Sequence, residues 1–233
     1  MWLGGCGVPP SGEEASVNRG VGEPLTEKAL PTAVAWSGLE DSVYVKGILY
    51  RLAQDTANHI YVITRHDTTL LSHHDGIVPQ GVELVDLDQD GHQDIIVNLF
   101  SNTPGDQLYF LFDPVAHHFV PLRNSGYYAN AAPVEGTGLC RSYNRSGCAD
   151  YNWESWLFGI KGDSAYSIGH MVAHQCPGTD HPRIITYLSE KEEDGVRMDS
   201  IPGDTSMTFF HKKREFVEGY WSKNYDRFTP RTK

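Results

Sequence analysis

The sequence predicts an all-β protein built from antiparallel hairpins. Short β-branched and aromatic runs alternate with polar turns, and 23 glycines and 13 prolines favour a turn-rich sheet protein. Two segments, 109–120 and 208–217, share one pattern: an aromatic strand, a polar turn and a Phe-Val return. Repeated hairpins at irregular spacing indicate an irregular, propeller-like antiparallel architecture, with a β-sandwich as the alternative.

The chain divides by composition into four parts. With 233 residues it can bury one sizeable core, which we assign to a single β domain at 34–222. Residues 7–33 are rich in Pro and Gly without apolar periodicity, as expected of a flexible tether. Residues 1–6 resemble the remnant of a lipoprotein signal, and 223–233 form a polar tail.

Hairpin signals run through the β domain. Extended apolar segments alternate with short polar turns, and no segment shows clear helical patterning. Residues 123–152 are predicted to be mostly loop. The predicted strands are 42–45, 48–52, 59–64, 68–72, 81–85, 94–100, 107–112, 118–122, 153–160, 165–172, 183–188, 196–199, 207–210 and 215–217.

An acidic loop between two of these strands predicts a cation site. Hard cations such as Ca²⁺ take six to eight oxygen ligands, and carboxylates this close together repel one another without a cation. Gly91 supplies the positive φ of the sharp turn. The expected ligands are the side chains of Asp86, Asp88, Asp90 and Asp94 and the backbone carbonyl of His92.

The spacing excludes an EF-hand. That motif needs a bidentate Glu at its twelfth position, and counting from Asp86 this position holds Val97. The flanking segments are short and β-branched, which predicts a strand–loop–strand unit and a structural role for Ca²⁺. The alternative is an acidic surface turn without a metal.

The charge balance bears on the partner. Nineteen Lys and Arg against 30 Asp and Glu give a formal net charge of -11, which argues against nucleic-acid binding. The same charge suits a basic protein partner by electrostatic steering. No stretch reaches the length of a transmembrane helix.

The N-terminal segment predicts a lipid anchor. Leu3-Gly4-Gly5-Cys6 is similar to a bacterial lipobox, in which the cysteine, here Cys6, becomes the lipidated first residue. With the polar tether that follows, this predicts a periplasmic protein attached to a bacterial membrane, most simply the outer membrane. A chance match to the short motif is the alternative.

The other three cysteines predict one disulfide. Cys140 and Cys148 flank a polar loop and form the favoured pair, while pairings of either with Cys176 stay open. A disulfide fits the oxidising periplasm. Cys176 also stands near His170 and His174 in a spacing that zinc could use, but we favour the disulfide.

Several elements together resemble a known family. The loop 86–94 and its Ile-Ile-Val strand resemble the calcium loops of integrin-type (FG-GAP) propeller repeats, here in one copy. The full set is similar to bacterial periplasmic lipoproteins that look like immunity proteins against peptidoglycan-hydrolase effectors of type IV secretion systems. The matching elements are the lipobox at 3–6, the tether at 7–33, the loop at 86–94, a Tyr-x-x-Phe-Asp-Pro hairpin at 109–114 and a Phe-Val-Glu strand at 216–218.

The resemblance implies a protein that binds and blocks a lysozyme-like enzyme. A loop that combines Gly flexibility with tyrosines suits such a contact, because tyrosine is enriched in binding hot spots. Tyr127, Tyr128 and Asn130 are the candidates, with His211 at the tip of the last predicted hairpin. The alternatives are that the tyrosines cover the core edge and that His211 is a solvated turn residue.

The sequence offers no enzyme motif. It contains neither a Gly-x-Ser-x-Gly elbow nor a phosphate-binding glycine loop. Glu135, Asp150 and Glu154 could be paired for glycoside hydrolysis, but no motif selects them. We therefore expect no catalytic residues. A secreted enzyme acting on cell-wall or glycan material and a calcium-stabilised adhesion or scaffolding module are the alternatives.

Overall fold

The structure is a computed structural model that describes residues 36–45, 47–57, 59–64, 68–72, 78–100, 106–188, 195–203 and 210–229. The predicted signal remnant, the tether and Cys6 lie outside these residues. The strands are β1 (Trp36–Val45), β2 (Ile48–Asp55), β3 (Ile60–Ile63), β4 (Thr68–Ser72), β5 (Val78–Val85), β6 (Asp94–Phe100), β7 (Gln107–Asp113), β8 (His118–Pro121), β9 (Ala132–Val134), β10 (Leu139–Arg141), β11 (Asn144–Arg145), β12 (Trp153–Lys161), β13 (Ser164–His174), β14 (Arg183–Leu188) and β15 (Val196–Pro202).

The predicted all-β class is confirmed. The first sheet has the order β1-β2-β3-β4 and the second β5-β6-β7-β8. The third sheet runs β15-β14-β13-β12-β10-β9, with β11 beside β12. The named strands pair antiparallel throughout. The described strands close into neither a barrel nor a propeller.

The second sheet lies between the other two. Successive residues of its strands point to opposite faces, and apolar side chains on both faces pack against the neighbouring sheets. Ile95 of β6 packs with Tyr50 of the first sheet. Its neighbour Ile96 packs with Phe158 of the third sheet. Two apolar cores therefore join the three sheets in sequence.

Three strands lie where the sequence predicts a loop. β9, β10 and β11 are two or three residues long and fall within 123–152. Strands this short carry too few residues to show alternation, so the turn residues around them dominate the local pattern.

The predicted last hairpin is wrong. The described part of 207–217 belongs to the helix α1 (Phe210–Asn224), and so does the Phe-Val-Glu element at 216–218. Its buried residues Lys213, Val217 and Trp221 are spaced by four, which places them on one helical face. Lysine at the first of these positions interrupts the apolar stripe by which a helix is recognised.

Helix α1 packs on the outer face of the third sheet. Trp221 is fully buried there with Trp153 and Leu157, and its Nε1 donates to Ser155 Oγ at 2.8 Å. The predicted polar tail continues this packing, because Phe228 is buried against Gly169. A Cβ at Gly169 would lie 2.8 Å from the Phe228 ring, so glycine is needed for this close approach.

The disulfide joins Cys148 to Cys176, so the favoured pair Cys140–Cys148 is wrong and one of the open alternatives forms. Cys140 lies on β10 and faces the core between the second and third sheets, where its thiol donates to the Leu87 carbonyl at 3.1 Å. Cys148 lies in the turn after β11. The two predicted partners therefore occupy different environments although they are eight residues apart in sequence.

Candidate metal site and candidate binding turn

The acidic loop connects β5 to β6 at the point where Val85 pairs with Asp94. Gly91 adopts φ 90, as its predicted role in the turn requires. Gln89 is also left-handed, at φ 61, and it fastens the loop to the third sheet. Its Nε2 donates to the Leu139 carbonyl at 3.0 Å, and its Oε1 accepts from Gly138 N at 3.3 Å. Sequence spacing gave no sign of this anchor, because Gln89 points away from the ligand pattern.

Three of the predicted ligands come together. Asp86, Asp88 and Asp94 each place a carboxylate oxygen within 4.8 Å of the others. Asp90 is not in this group: its Oδ1 accepts from His92 N at 2.8 Å and shapes the outer turn. The backbone carbonyl of His92 stays a predicted ligand. The structure therefore brings together the two inner carboxylates of the loop and the one at the start of β6.

Asp86 supplies an unpaired oxygen. Its Oδ2 accepts from Gly91 N at 2.9 Å, while its Oδ1 is buried without a hydrogen-bond partner. Asp88 Oδ1 accepts from Asp90 N at 3.2 Å. Burial raises the pKa of Asp88, and the charges of Asp90 and Asp86 raise it further. The cluster thus concentrates negative charge around one free buried oxygen.

Asp94 ties the loop to two sheet strands. Its Oδ2 accepts from Leu87 N and its Oδ1 from Phe112 N, both at 2.8 Å. Burial raises its pKa to about 7, and the charge of Asp88 adds to this, whereas the two backbone hydrogen bonds lower it. A hard divalent cation is the chemical complement of such a set of oxygens. Backbone carbonyls and water would complete its coordination.

The predicted binding turn follows β8. Asn124 adopts the left-handed conformation at φ 59, and Ser125–Tyr127 form one turn of 3₁₀ helix. Tyr127 and Tyr128 then take opposite roles. Tyr127 is 73% exposed, whereas Tyr128 is 5% exposed and stacks on Phe158 with ring centroids 4.1 Å apart. Of the predicted pair, only Tyr127 is exposed, and Tyr128 covers the core as the alternative expected.

The backbone of this turn is held at several points. Tyr127 O accepts from Asn144 Nδ2 at 3.0 Å, and Tyr128 N donates to Ser125 O at 2.9 Å. Asn124 Nδ2 donates to Ser164 Oγ at 2.9 Å. These bonds fix the Cα of an otherwise exposed tyrosine.

Asn130 and His211 have different positions from those expected. Asn130 Nδ2 donates to the Tyr143 carbonyl at 3.0 Å, so its amide supports the turn. His211 is exposed in the first turn of α1, after Phe210, whose ring contacts Tyr143 at 5.1 Å. The turn and the start of α1 therefore meet at the same segment, 143–144, which sequence reasoning did not connect.

Two residues of the alternative zinc site, Cys176 and His170, have other partners. Cys176 is in the disulfide. His170 Nε2 instead lies 3.0 Å from Glu154 Oε2, and its ring stacks on Trp156 at 3.7 Å. This buried histidine–carboxylate pair spans β12 and β13, and the strands' register, which sequence alone does not give, brings it together.

Among the described residues, no helix is long and apolar enough to span a membrane.

Comparisons with known families, curated proteins and solved structures give a similarity among solved structures only. No family model matches the chain, and no curated protein matches it. Among solved structures, the chain is similar to one described as the structure of a Xanthomonas type IV secretion system related protein. The two share 15% identity over 71% of this chain and 98% of that chain, with a TM-score of 0.44. The functional proposal therefore rests on the site geometry.

Proposed function

We propose that this chain is a calcium-stabilised periplasmic lipoprotein, anchored to the outer membrane, that binds and inhibits a lysozyme-like peptidoglycan hydrolase. The observation that carries the proposal is the presentation of Tyr127. Its side chain is 73% exposed, while its backbone carbonyl is held by Asn144 and its neighbour Tyr128 is fixed in the core. A rigid exposed aromatic loses little entropy on binding, which is what a plug for an enzyme cleft needs.

The chemistry of a lysozyme cleft matches this side chain. Glycoside hydrolases of this type use paired carboxylates. The Tyr127 hydroxyl can donate a hydrogen bond to such a carboxylate while its ring fills the substrate position. The acidic surface of the chain, at a net charge of -11, would speed encounter with a basic hydrolase.

Inhibition is testable with one pair of variants. The chain is used to capture hydrolases from the periplasm of the source bacterium and those delivered into it by a secretion system. Peptidoglycan clearing by the captured enzyme is then measured at increasing concentrations of the chain. Tyr127→Ala is expected to weaken inhibition by about 30-fold or more, in the range of a hot-spot residue.

Tyr44→Ala is the matched control. Tyr44 is 65% exposed on β1 in the first sheet and lies outside the proposed turn. Its removal should leave inhibition unchanged. Equal losses from both variants would reject the turn as the contact, and failure to capture any hydrolase would reject the function. Peptidoglycan cleavage by the chain alone would favour the enzyme alternative.

The proposed metal is Ca²⁺, bound by Asp86, Asp88 and Asp94. The free buried Oδ1 of Asp86 and the raised pKa of Asp94 support a cation at their centre. Calorimetric titration should give one Ca²⁺ site with weaker binding of Mg²⁺, which demands stricter geometry. Asp86→Asn should weaken Ca²⁺ binding by at least tenfold, whereas Asp106→Asn, at an exposed position outside the cluster, should not change it.

The anchor is tested separately. Replacement of Cys6 by Ser, expressed in the source bacterium, is expected to move the protein from the membrane fraction to the soluble periplasm. Stable anchoring depends on the buried acyl chains. An unchanged distribution would reject lipidation at Cys6.

A further inference from the structure

The start of α1 carries an unusual concentration of positive charge. His211, Lys212, Lys213 and Arg214 follow one another there, and the first turn holds no acidic residue. A helix N-terminus already carries partial positive charge, so cations at this end are unfavourable unless an anion offsets them. In a chain with a net charge of -11, this is a local reversal of sign.

A second row of polar residues lies beneath the helix. Arg141 and Tyr143 alternate with the inward-facing Cys140 and Ser142, so both point to the face that α1 covers. Arg141 Nη2 donates to Glu218 Oε2 of α1 at 2.7 Å. The Tyr143 ring packs edge-on against Phe210, the first residue of α1. The row therefore runs from Phe210, at the start of α1, to Glu218 in the third turn of the helix.

This row contains buried donors without acceptors. Arg141 is 5% exposed, and its Nε and Nη1 have no hydrogen-bond partner. Tyr143 is fully buried, and its hydroxyl also has no partner. Leaving a buried donor unpaired costs about 1–3 kcal/mol, and more for a charged group. Three buried donor atoms on two side chains of this row thus lack acceptors.

The charges around the row do not balance. Lys213 is buried and its Nζ donates to the Asp150 carbonyl, while Arg145 pairs with the Asp150 carboxylate. Burial lowers the pKa of Arg141, and the positive charge of Arg214 lowers it further. The negative charge of Glu218 opposes this shift. The cations are Arg141, Arg145, Lys213 and Arg214, and the carboxylates are Asp150 and Glu218. Among the described residues that these interactions connect, four positive and two negative charges leave an excess of two.

We propose that the first turns of α1 and the row Arg141–Tyr143 bind a doubly charged tetrahedral oxyanion, of the phosphate or sulfate class. Guanidinium groups bind such oxygens through paired N–H donors. The ligand accepts from the unpaired Arg141 nitrogens and the Tyr143 hydroxyl. Arg214 is exposed and its guanidinium lies 5.5 Å from the Phe210 ring centre, so rotation of these two side chains opens the site.

Binding is tested by calorimetry and thermal unfolding of the full chain with sodium sulfate and sodium phosphate, at ionic strength matched with chloride. We expect saturable binding and a rise in melting temperature. Tyr143→Phe keeps the ring and removes only the unpaired hydroxyl. It is expected to leave the anion-free protein at least as stable as the native chain, yet to weaken anion binding by about tenfold, as loss of a hydrogen bond to a charged group does.

Arg214→Gln is the second variant, and its exposed position makes a folding defect unexpected. It should also weaken binding by about tenfold. Arg197→Gln is the control, because Arg197 is exposed on β15, at the opposite edge of the third sheet from β9 and β10. Equal effects of these two variants would mean non-specific screening and overturn the proposal.

Two further ligands define the chemistry. Glycerol phosphate that binds as tightly as inorganic phosphate would support the proposal and indicate a phosphate group on a larger ligand. Binding of inorganic phosphate alone would support it for the free ion. Acetate that binds as tightly as sulfate, or the absence of any saturable anion binding, would overturn it.

Discussion

Two buried aspartates organise loops in this molecule, and their carboxylates have different surroundings. Asp55 ends β2 and Asp94 begins β6, and both are almost completely buried. Asp55 accepts from Ala57 N at 2.8 Å, from His59 N at 2.9 Å and from His59 Nδ1 at 2.8 Å, with the Tyr61 hydroxyl at 3.2 Å. Asp94 accepts from two backbone N–H groups and faces two further carboxylates.

The pKa values follow these surroundings. Burial raises the pKa of Asp55, but the hydrogen bonds from His59, Ala57 and Tyr61 outweigh burial and leave it lowered. Burial raises the pKa of Asp94 to about 7, and the neighbouring carboxylates oppose its ionisation further. The Asp55 loop is therefore complete with the protein's own donors. The Asp94 loop would be completed by the proposed cation.

Of the changes that test this contrast, calcium removal should have the largest effect on the free energy of unfolding. A ligand present at a thousand times its dissociation constant stabilises the folded state by about 4 kcal/mol. We expect chelation to lower the free energy of unfolding by about this amount relative to saturating Ca²⁺, as measured by urea unfolding. The Asp55→Asn variant should show the same Ca²⁺ dependence as the native chain. Superimposable unfolding curves with and without Ca²⁺ would refute the site.

Removal of the Asp55 acceptor should come next. Asp55→Ala leaves the N–H groups of Ala57 and His59 and the Tyr61 hydroxyl without their acceptor, and we expect a loss of about 2–3 kcal/mol in the free energy of unfolding. Asp55→Asn keeps one acceptor oxygen and should lose less. The loss from Asp55→Ala should be the same with Ca²⁺ and with chelator. A loss that depends on Ca²⁺ would show that the two loops are not independent.

The sequence predicted the Asp94 loop but not the Asp55 loop, for a physical reason. Carboxylates at alternate positions before a glycine form a dense local pattern, whereas a single Asp followed by His and Tyr looks like ordinary turn composition. The sequence also does not indicate which of the acidic residues form the cluster. Spacing places Asp90, not Asp94, in the alternating row with Asp86 and Asp88. Pairing of β5 with β6 brings Asp94 into the cluster instead.

The same distinction explains the fold prediction. Hairpins with period-two alternation were predicted because their pattern is local. Helix α1 was missed because Lys213 occupies a buried position that an apolar residue fills in most amphipathic helices, and the Asp150 carbonyl that accepts from it is distant in sequence. The observed disulfide was an open alternative and not the favoured one for a similar reason, because Cys176 reaches Cys148 only through the pairing of β12 with β13.

Acidification should change the two loops in opposite directions. The lowered pKa of Asp55 stabilises the fold above its unfolded value of 3.8, and this contribution is lost as the pH falls through the folded pKa. The raised pKa of Asp94 gives the opposite sign in chelator: its contribution is full below pH 3.8 and is lost as the pH rises toward about 7. Unfolding from pH 7 to pH 3, compared with Asp55→Asn and Asp94→Asn, separates the two.

The expected result is specific to each variant. In chelator, the native chain should gain stability relative to Asp94→Asn as the pH falls from 7 to 4. It should lose stability relative to Asp55→Asn below pH 4. Saturating Ca²⁺ should abolish the first difference and leave the second. Slopes of equal sign for both comparisons would contradict the assigned environments.

The smallest effect, and the sharpest in sign, is expected from Asp88→Asn. In chelator, this change removes a charge that raises the pKa of Asp94 and so should stabilise the fold by less than about 1 kcal/mol, because Asp88 is only half-buried. With Ca²⁺ it removes a ligand and should destabilise. The effect of this substitution on the free energy of unfolding should therefore change sign when Ca²⁺ is added, as expected if repulsion among the carboxylates is the main effect of Asp88 in the metal-free loop. Loss of stability under both conditions would mean that the charge of Asp88 does not oppose ionisation of Asp94 in the metal-free loop.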